Sequence, residues 1–277
     1  MSRIAKRFSE TQEAGRSALI PYVTAGDPNP GVTVPLMHDL VAAGADLLEL
    51  GVPFSDPMAD GPVIQLACER ALAHGTSLRG VLDMVREFRR DDAETPVILM
   101  GYLNPVERMG AEKFAQAAAQ AGVDGVLMVD LPPEESAELT GVLESAGIDP
   151  IFLLAPTTSS LRMRHVADAA RGFIYYVSLK GVTGSQTLDA GELGARLDSI
   201  RGLTELPLGV GFGIRDAATA AQVARVADAV VVGSAIVRLV EQYPDQPEQF
   251  RIAAAEIVRG MRAAMDAARM AEAPATA

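Results

Sequence analysis

The run Val34-Pro-Leu-Met-His-Asp-Leu-Val-Ala-Ala43-Gly44-Ala45-Asp46-Leu47-Leu-Glu-Leu-Gly-Val52 holds a helix, its stop and a strand in one stretch. Residues 34–43 have helical spacing, and Pro35 suits a first turn. Gly44 can end the helix, because glycine takes a left-handed conformation without Cβ strain. Residues 47–52 are then an apolar run of strand length around Glu49, and several of the chain's runs are apolar on both faces, as parallel strands covered by helices should be.

The same junction recurs at Gly122-Val-Asp124 and Gly147-Ile-Asp149. Working outward from these three, short apolar runs appear at 18–23, 47–52, 97–100 (behind Pro96), 126–129, 151–154, 173–177, 208–210 (widening to Phe212) and 229–232. Further helical spacing lies at 111–121, 134–146 and 216–227. Eight strand–helix units in one chain predict an α/β fold of the (β/α)8 TIM-barrel type. A doubly wound sheet would carry Gly-x-Gly-x-x-Gly after its first strand, but here that strand runs into Thr24-Ala-Gly-Asp27-Pro-Asn-Pro. Residues 1–10 read as an extra amphipathic N-terminal helix with Ile4 and Phe8 on one face, and 241–269 as an additional C-terminal helix. One domain is expected over 1–270, with 271–277 a frayed tail.

The composition agrees. The chain has 277 residues, of which 49% are hydrophobic, enough for one large core. A net charge of -12 argues against nucleic acid or an anionic membrane as partner. No apolar run of about 18 residues exists to span a membrane, and no signal-peptide core follows the basic start. Cys68 stands alone, so neither an internal disulfide nor a cysteine-built zinc site is available, which fits a reducing cytoplasm.

In a barrel the reactive groups sit at the C-terminal ends of the strands. Glu49, amid leucines, reads either as half of a structural ion pair or as a general acid/base with a displaced pKa. Asp60, just before Pro62, reads either as a helix N-cap or as a second carboxylate sharing acid–base work with Glu49. The glycines and threonine of 178–185 read as a flap or as an ordinary surface loop. Gly211, Gly213, Gly233 and Ser234 stand at the ends of the last two strands. They read as a phosphate site made of backbone N–H groups and a helix start, or as plain turn glycines. His38, His74 and His165 lack metal-ligand spacing, and the eleven methionines read as core filler. Lys6, Lys113 and Lys180 all lie outside the strands, so a Schiff-base mechanism has only Lys180 as a candidate. The residues therefore point to acid–base chemistry on a small phosphorylated substrate.

The run Glu49-Leu-Gly-Val-Pro-Phe-Ser-Asp-Pro-Met-Ala-Asp60-Gly-Pro-Val-Ile-Gln65 resembles the signature segment of tryptophan synthase alpha subunits. The resemblance extends through Pro21-Tyr22-Val-Thr24-Ala-Gly-Asp27-Pro28, Met100-Gly-Tyr102-Leu-Asn104-Pro105, Asp130-Leu-Pro132, Leu154-Ala-Pro156-Thr157-Thr158, Gly181-Val-Thr183-Gly184 and Gly211-Phe-Gly213-Ile. It implies retro-aldol cleavage of indole-3-glycerol phosphate to indole and glyceraldehyde 3-phosphate. Glu49 would be the general acid and base. Asp60 would hold the indole N–H, remaining free to cap a helix, and Tyr175 would lie beside Glu49. Gly184, Gly213, Gly233 and Ser234 would hold the phosphate. Tyr22, Thr24, Met100, Leu127, Val129 and Phe212 would line the indole pocket, and Thr183 would close over it. Asp56, Asn104 and Pro132 would face a beta subunit that carries pyridoxal phosphate, in an alpha2-beta2 heterotetramer, with no cofactor and no metal in this chain. Tyr22 departs from the frequent phenylalanine and brings a hydroxyl that needs a partner. Lys180 and Leu179 depart in the flap. The alternatives are another phosphate-binding barrel isomerase or aldolase, or a non-catalytic activator of the beta subunit.

Overall fold

A computed structural model describes residues 1–177, 190–211 and 213–271. Eight parallel strands close into a barrel in sequence order: β1 (Ala18–Thr24), β2 (Leu48–Gly51), β3 (Val97–Gly101), β4 (Gly125–Met128), β5 (Asp149–Leu154), β6 (Ile174–Val177), β7 (Leu208–Gly211) and β8 (Ala229–Val232). β8 returns to pair with β1, through Ala18↔Ala229 to Pro21↔Val232. The (β/α)8 expectation holds, and each strand lies within two residues of its apolar run.

Helices cover the outside: α1 (Arg3–Glu13), α2 (Pro30–Ala42), α3 (Pro62–Ala73), α4 (Leu78–Phe88), α5 (Leu103–Met109), α6 (Ala111–Ala121), α7 (Ala137–Ser145), α8 (Ser160–Ala169), α9 (Ala190–Arg201), α10 (Ala217–Ala224), α11 (Ser234–Val237), α12 (Leu239–Gln242) and α13 (Pro247–Met270). The barrel interior is packed with side chains, among them Ile20, Ile98, Leu127, Ile151 and Phe173. α1 closes its N-terminal end. Ile4 and Phe8 enter that interior cluster, and the Phe8 and Phe173 rings lie 5.7 Å apart.

Carboxylates fix the strand register at this closed end. Asp46, just before β2, accepts the Leu19 N–H of β1 at 2.9 Å. Asp124, before β4, accepts the Val97 N–H of β3 at 2.8 Å, and Asp228, before β8, accepts the Leu208 N–H of β7 at 2.9 Å. Each takes an N–H from the first or second residue of a neighbouring strand. Arginines neutralise the buried charge: Arg262 of α13 on Asp46, and Arg89 with Arg3 on Asp124. The recurring Gly-x-Asp junction thus has two parts. Gly44, Gly122 and Gly147 turn the chain at φ 106°, 89° and 76°. Asp46 and Asp124 then bind the neighbouring strand, while Asp149 instead accepts the Ser2 hydroxyl ahead of α1, at 2.7 Å.

Several boundaries differ from the sequence reading. α2 begins at Pro30, not 34; Asn29 accepts the Gly31 N–H as its cap, and Pro35 lies inside the helix rather than in its first turn. Residues 134–146 do not form one helix. Pro132-Pro133 opens a 3-10 turn (Pro133–Glu135), and α7 starts only at Ala137. The segment 216–227 ends early: Asp216 caps α10 through a capping box with Thr219, and the helix stops at Ala224. The C-terminal segment is two helices, broken at Tyr243. That residue precedes Pro244 and leaves the helical region at φ -130°, ψ 52°. Beyond Ala271 the expected tail lies outside the described residues.

Candidate active site

Glu49 is the central residue of β2, facing Tyr22 of β1 and Ile98 of β3 in register. Its residue is 1% exposed, and its Oε1 has no hydrogen-bond partner among the described residues. No ion pair among those residues involves it, so nothing described supports the reading of Glu49 as half of a structural salt bridge. Burial, and secondarily the nearby Asp60 carboxylate, pushes its pKa from 4.5 up to about 8. At neutral pH the side chain is therefore mostly protonated and can give a proton.

Asp60 sits on the loop between β2 and α3. It does not cap the helix: Gly61 is the N-cap, with no side-chain bond, and Pro62 opens the first turn. The carboxylate instead turns to β3, where its Oδ2 accepts the Tyr102 hydroxyl at 2.8 Å. Burial raises the Asp60 pKa and the Tyr102 bond opposes that rise. Two carboxylates thus share one site in unlike surroundings: among the described residues Glu49 has no hydrogen bond and Asp60 holds one.

The sequence reading gave Tyr102 no role. Its hydroxyl donates to Asp60 and accepts the Ala59 N–H at 3.0 Å, while its ring stacks on Phe54 with centroids 5.1 Å apart. One tyrosine therefore ties the loop after β2 to the end of β3. Its place one residue beyond β3, where barrel enzymes put reactive groups, was the available signal.

Tyr175 of β6 and Tyr22 of β1 also face inward, 4% and 7% exposed. Burial raises both hydroxyl pKa values, and both respond to the charges of Glu49 and Asp60. Each phenol lies across a strand-end glycine. A Cβ on Gly211 would stand 1.9 Å from the Tyr175 hydroxyl, and one on Gly51 would stand 2.1 Å from that of Tyr22. The hydroxyl of Tyr22 finds its partner in Thr24, at 3.2 Å.

These groups line a cavity of about 370 Å³ at the C-terminal mouth, a size suited to a small organic substrate. Its described lining includes Tyr22, Glu49, Asp60, Met100, Tyr175, Gly213, Gly233 and Ser234. Gly213, at φ 83°, follows β7; Gly233 and Ser234 follow β8 and start α11, whose first N–H groups have no intrahelical acceptor. Leu127 and Val129 pack in the barrel interior rather than on the described cavity wall, and Thr24 is buried behind Tyr22. Phe212, Thr183 and Gly184, with Lys180 and the rest of the proposed flap, lie outside the described residues.

Asp56 and Pro132 lie on the loops after β2 and β4, and Asn104 in the first turn of α5, which follows β3; the three strands are neighbours in barrel order. Asp56 and Asn104 are exposed and Pro132 is partly so, and Met58 beside Asp56 is 86% exposed. The loops are joined: Tyr102 reaches the first, and Asp130 accepts the Leu103 N–H at 2.8 Å. The histidines lie apart, with His38 against the Phe88 ring and His165 near Glu134. No group of three or more His, Cys, Asp or Glu among the described residues could hold a metal ion.

Comparison with known proteins agrees with this geometry. The family model described as tryptophan synthase alpha chain matches residues 8–266. A tryptophan synthase alpha chain of Thioalkalivibrio sulfidiphilus is 66% identical over 266 residues, covering 96% of this chain and all of that relative. One from Alkalilimnicola ehrlichii is 62% identical, covering 96% and 97%. The crystal structure of tryptophan synthase subunit alpha from Legionella pneumophila superposes with a TM-score of 0.89 at 47% identity, covering 96% of this chain and 99% of that one.

Proposed function

The chain belongs to the tryptophan synthase alpha chain family, and on that premise we propose which residues carry its reaction. The reaction is the cleavage of indole-3-glycerol phosphate to indole and glyceraldehyde 3-phosphate. In our reading Glu49 gives its proton to indole C3. Asp60, as an anion, accepts the indole N–H and stabilises the positive charge that protonation puts on the ring. The bond between C3 and the glycerol chain then breaks, and its electron pair returns to the ring. The adjacent hydroxyl becomes the aldehyde of glyceraldehyde 3-phosphate, and its proton passes to the Glu49 carboxylate. One proton is given and one taken, so the enzyme ends as it began.

The observation that carries this assignment is Glu49 itself: a buried carboxyl, protonated near neutrality, with an oxygen that has no hydrogen-bond partner among the described residues, in the cavity that Asp60 shares. Tyr175 packs beside it and helps keep water out. Backbone N–H groups at Gly213, Gly233 and Ser234, with Gly184, hold the phosphate. Tyr22 and Met100 face the indole, with Thr24, Leu127 and Val129 packed behind that wall; Phe212 and Thr183 are the remaining pocket and flap residues of this reading. Replacing Glu49 by glutamine tests the assignment, because shape is kept while the transferable proton is lost. Cleavage should cease while phosphate ligands still bind, and near-normal turnover would remove Glu49 from this role.

The family name implies a tryptophan synthase complex with a beta subunit. We place the contact on the face bearing Asp56, Asn104 and Pro132, in an alpha2-beta2 assembly. Exposed Met58 supports that choice of face. This reading asks for no cofactor in this chain and puts pyridoxal phosphate on the beta subunit. It takes 1–270 as one barrel domain. No helix of the described residues is long and apolar enough to cross a membrane, and the free thiol of buried Cys68 supports a cytoplasmic setting.

A further inference from the structure

The cavity wall is electrically divided. Glu49 and Asp60 come from β2 and its loop, while Arg215 and Arg238 line the cavity from the segments after β7 and β8. Arg238 lies one turn beyond Ser234, its backbone N–H bonded to the Ser234 carbonyl at 3.1 Å. Its side chain is exposed, and among the described residues no carboxylate forms an ion pair with it, although most arginines of this acidic chain have one. On a protein of net charge -12, a long cation with no ion-pair partner among the described residues is held at the end of the cavity where Gly213, Gly233 and Ser234 lie.

The substrate presents a problem that Arg238 answers. A phosphate monoester carries close to two negative charges at neutral pH. It must approach an acidic protein and enter a cavity that already holds two carboxyl groups. Backbone N–H groups supply direction and partial charge but no net charge. We propose that Arg238 is the side-chain cation of the phosphate end, drawing the dianion in and fixing which end of the substrate meets the β7–β8 side. The proposal rests on the reading of Gly213, Gly233 and Ser234 as the phosphate cradle. It makes Arg238 a specificity-determining residue that touches no reacting atom. Being exposed, its attraction is screened by salt.

The test is calorimetric binding of indolepropanol phosphate and of its neutral alcohol to the full chain, as wild type, Arg238→Met and Arg238→Lys, at low and high salt. The wild type should prefer the phosphate ester. Arg238→Met should weaken ester binding about tenfold at low salt, a loss typical of one charge-assisted contact, and leave alcohol binding unchanged. The lysine variant should keep most of the preference, and added salt should narrow the gap. In steady-state cleavage the methionine variant should raise KM far more than it lowers kcat. An Arg238→Met protein that binds the ester within twofold of wild type, while wild type still prefers ester to alcohol, overturns the role of Arg238 and leaves the cradle standing. A wild type that does not prefer the ester overturns the cradle and, with it, the role of Arg238.

Discussion

The hydroxyl of Tyr175 occupies the space that a side chain at residue 211 would need: a Cβ built on Gly211 stands 1.9 Å from that oxygen and 2.5 Å from the ring carbon bearing it. The two residues sit on adjacent strands, two residues apart in register, since Val177 pairs with Gly211 and Tyr175 with Gly209. The glycine therefore permits an inward tyrosine beside Glu49, and its own identity is fixed by that tyrosine.

Gly211→Ala should displace the phenol and disturb the catalytic wall. A shift of about 1 Å in a reacting site can cost about 100-fold in rate, and we expect kcat to fall by that order. A shorter side chain at 175 removes the obstacle, so Gly211→Ala with Tyr175→Leu should be no worse than Tyr175→Leu alone. Strictly additive losses in this cycle would show that the two residues do not compete for one space.

Tyr102→Phe removes the hydroxyl that Asp60 accepts. The lost bond lets burial act unopposed, so the Asp60 pKa should rise further. The acid limb of the kcat profile should move to higher pH, with kcat near neutrality down about tenfold, in keeping with about 1.5 kcal/mol for a hydrogen bond to a charged group. An unchanged pH profile would assign Tyr102 to packing against Phe54 alone.

Glu49 should make its protein less stable as pH rises. Its folded pKa, about 8, lies above the ordinary 4.5, so the folded state holds the proton more tightly than the unfolded chain. That contribution is full below pH 4.5 and is lost as pH climbs through 8, by at most about 1.4 kcal/mol per unit within the window. Urea unfolding of wild type and Glu49→Gln from pH 5 to 9 isolates it, since other groups cancel in the difference. The mutant should gain on the wild type steadily with pH, and a flat difference would mean that Glu49 is not buried as a neutral acid.

The closed end of the barrel should govern stability without touching catalysis. Asp124→Ala strips the Val97 N–H and the Arg89 guanidinium of their shared acceptor. Breaking a buried pair of this kind costs about 3 kcal/mol. Chemical denaturation should show that loss, while KM for the folded enzyme stays put.

The barrel was legible because its parts repeat. Apolar runs of strand length and glycine stops at 44, 122 and 147 depend on local sterics, which a sequence displays directly. Helix starts were harder: Asn29 caps α2 several residues before the apolar spacing begins, and Tyr243 breaks the last segment through the proline after it. The placing of Glu49 and Asp60 at the mouth followed from strand ends plus the family resemblance. Asp60 is not a cap, because Tyr102, just past β3, takes its carboxylate while Gly61 is the N-cap of α3. Tyr102 itself could not be read from spacing, since its role arises only when β2 and β3 lie side by side.

The most direct test of the account is indole release from indole-3-glycerol phosphate by the purified chain, alone and with a tryptophan synthase beta subunit, beside Glu49→Gln. The wild type should release indole in both conditions, faster with the partner. Release by the folded mutant should fall by at least about 100-fold, the scale of a lost general acid. Equal release by mutant and wild type would contradict the role given to Glu49.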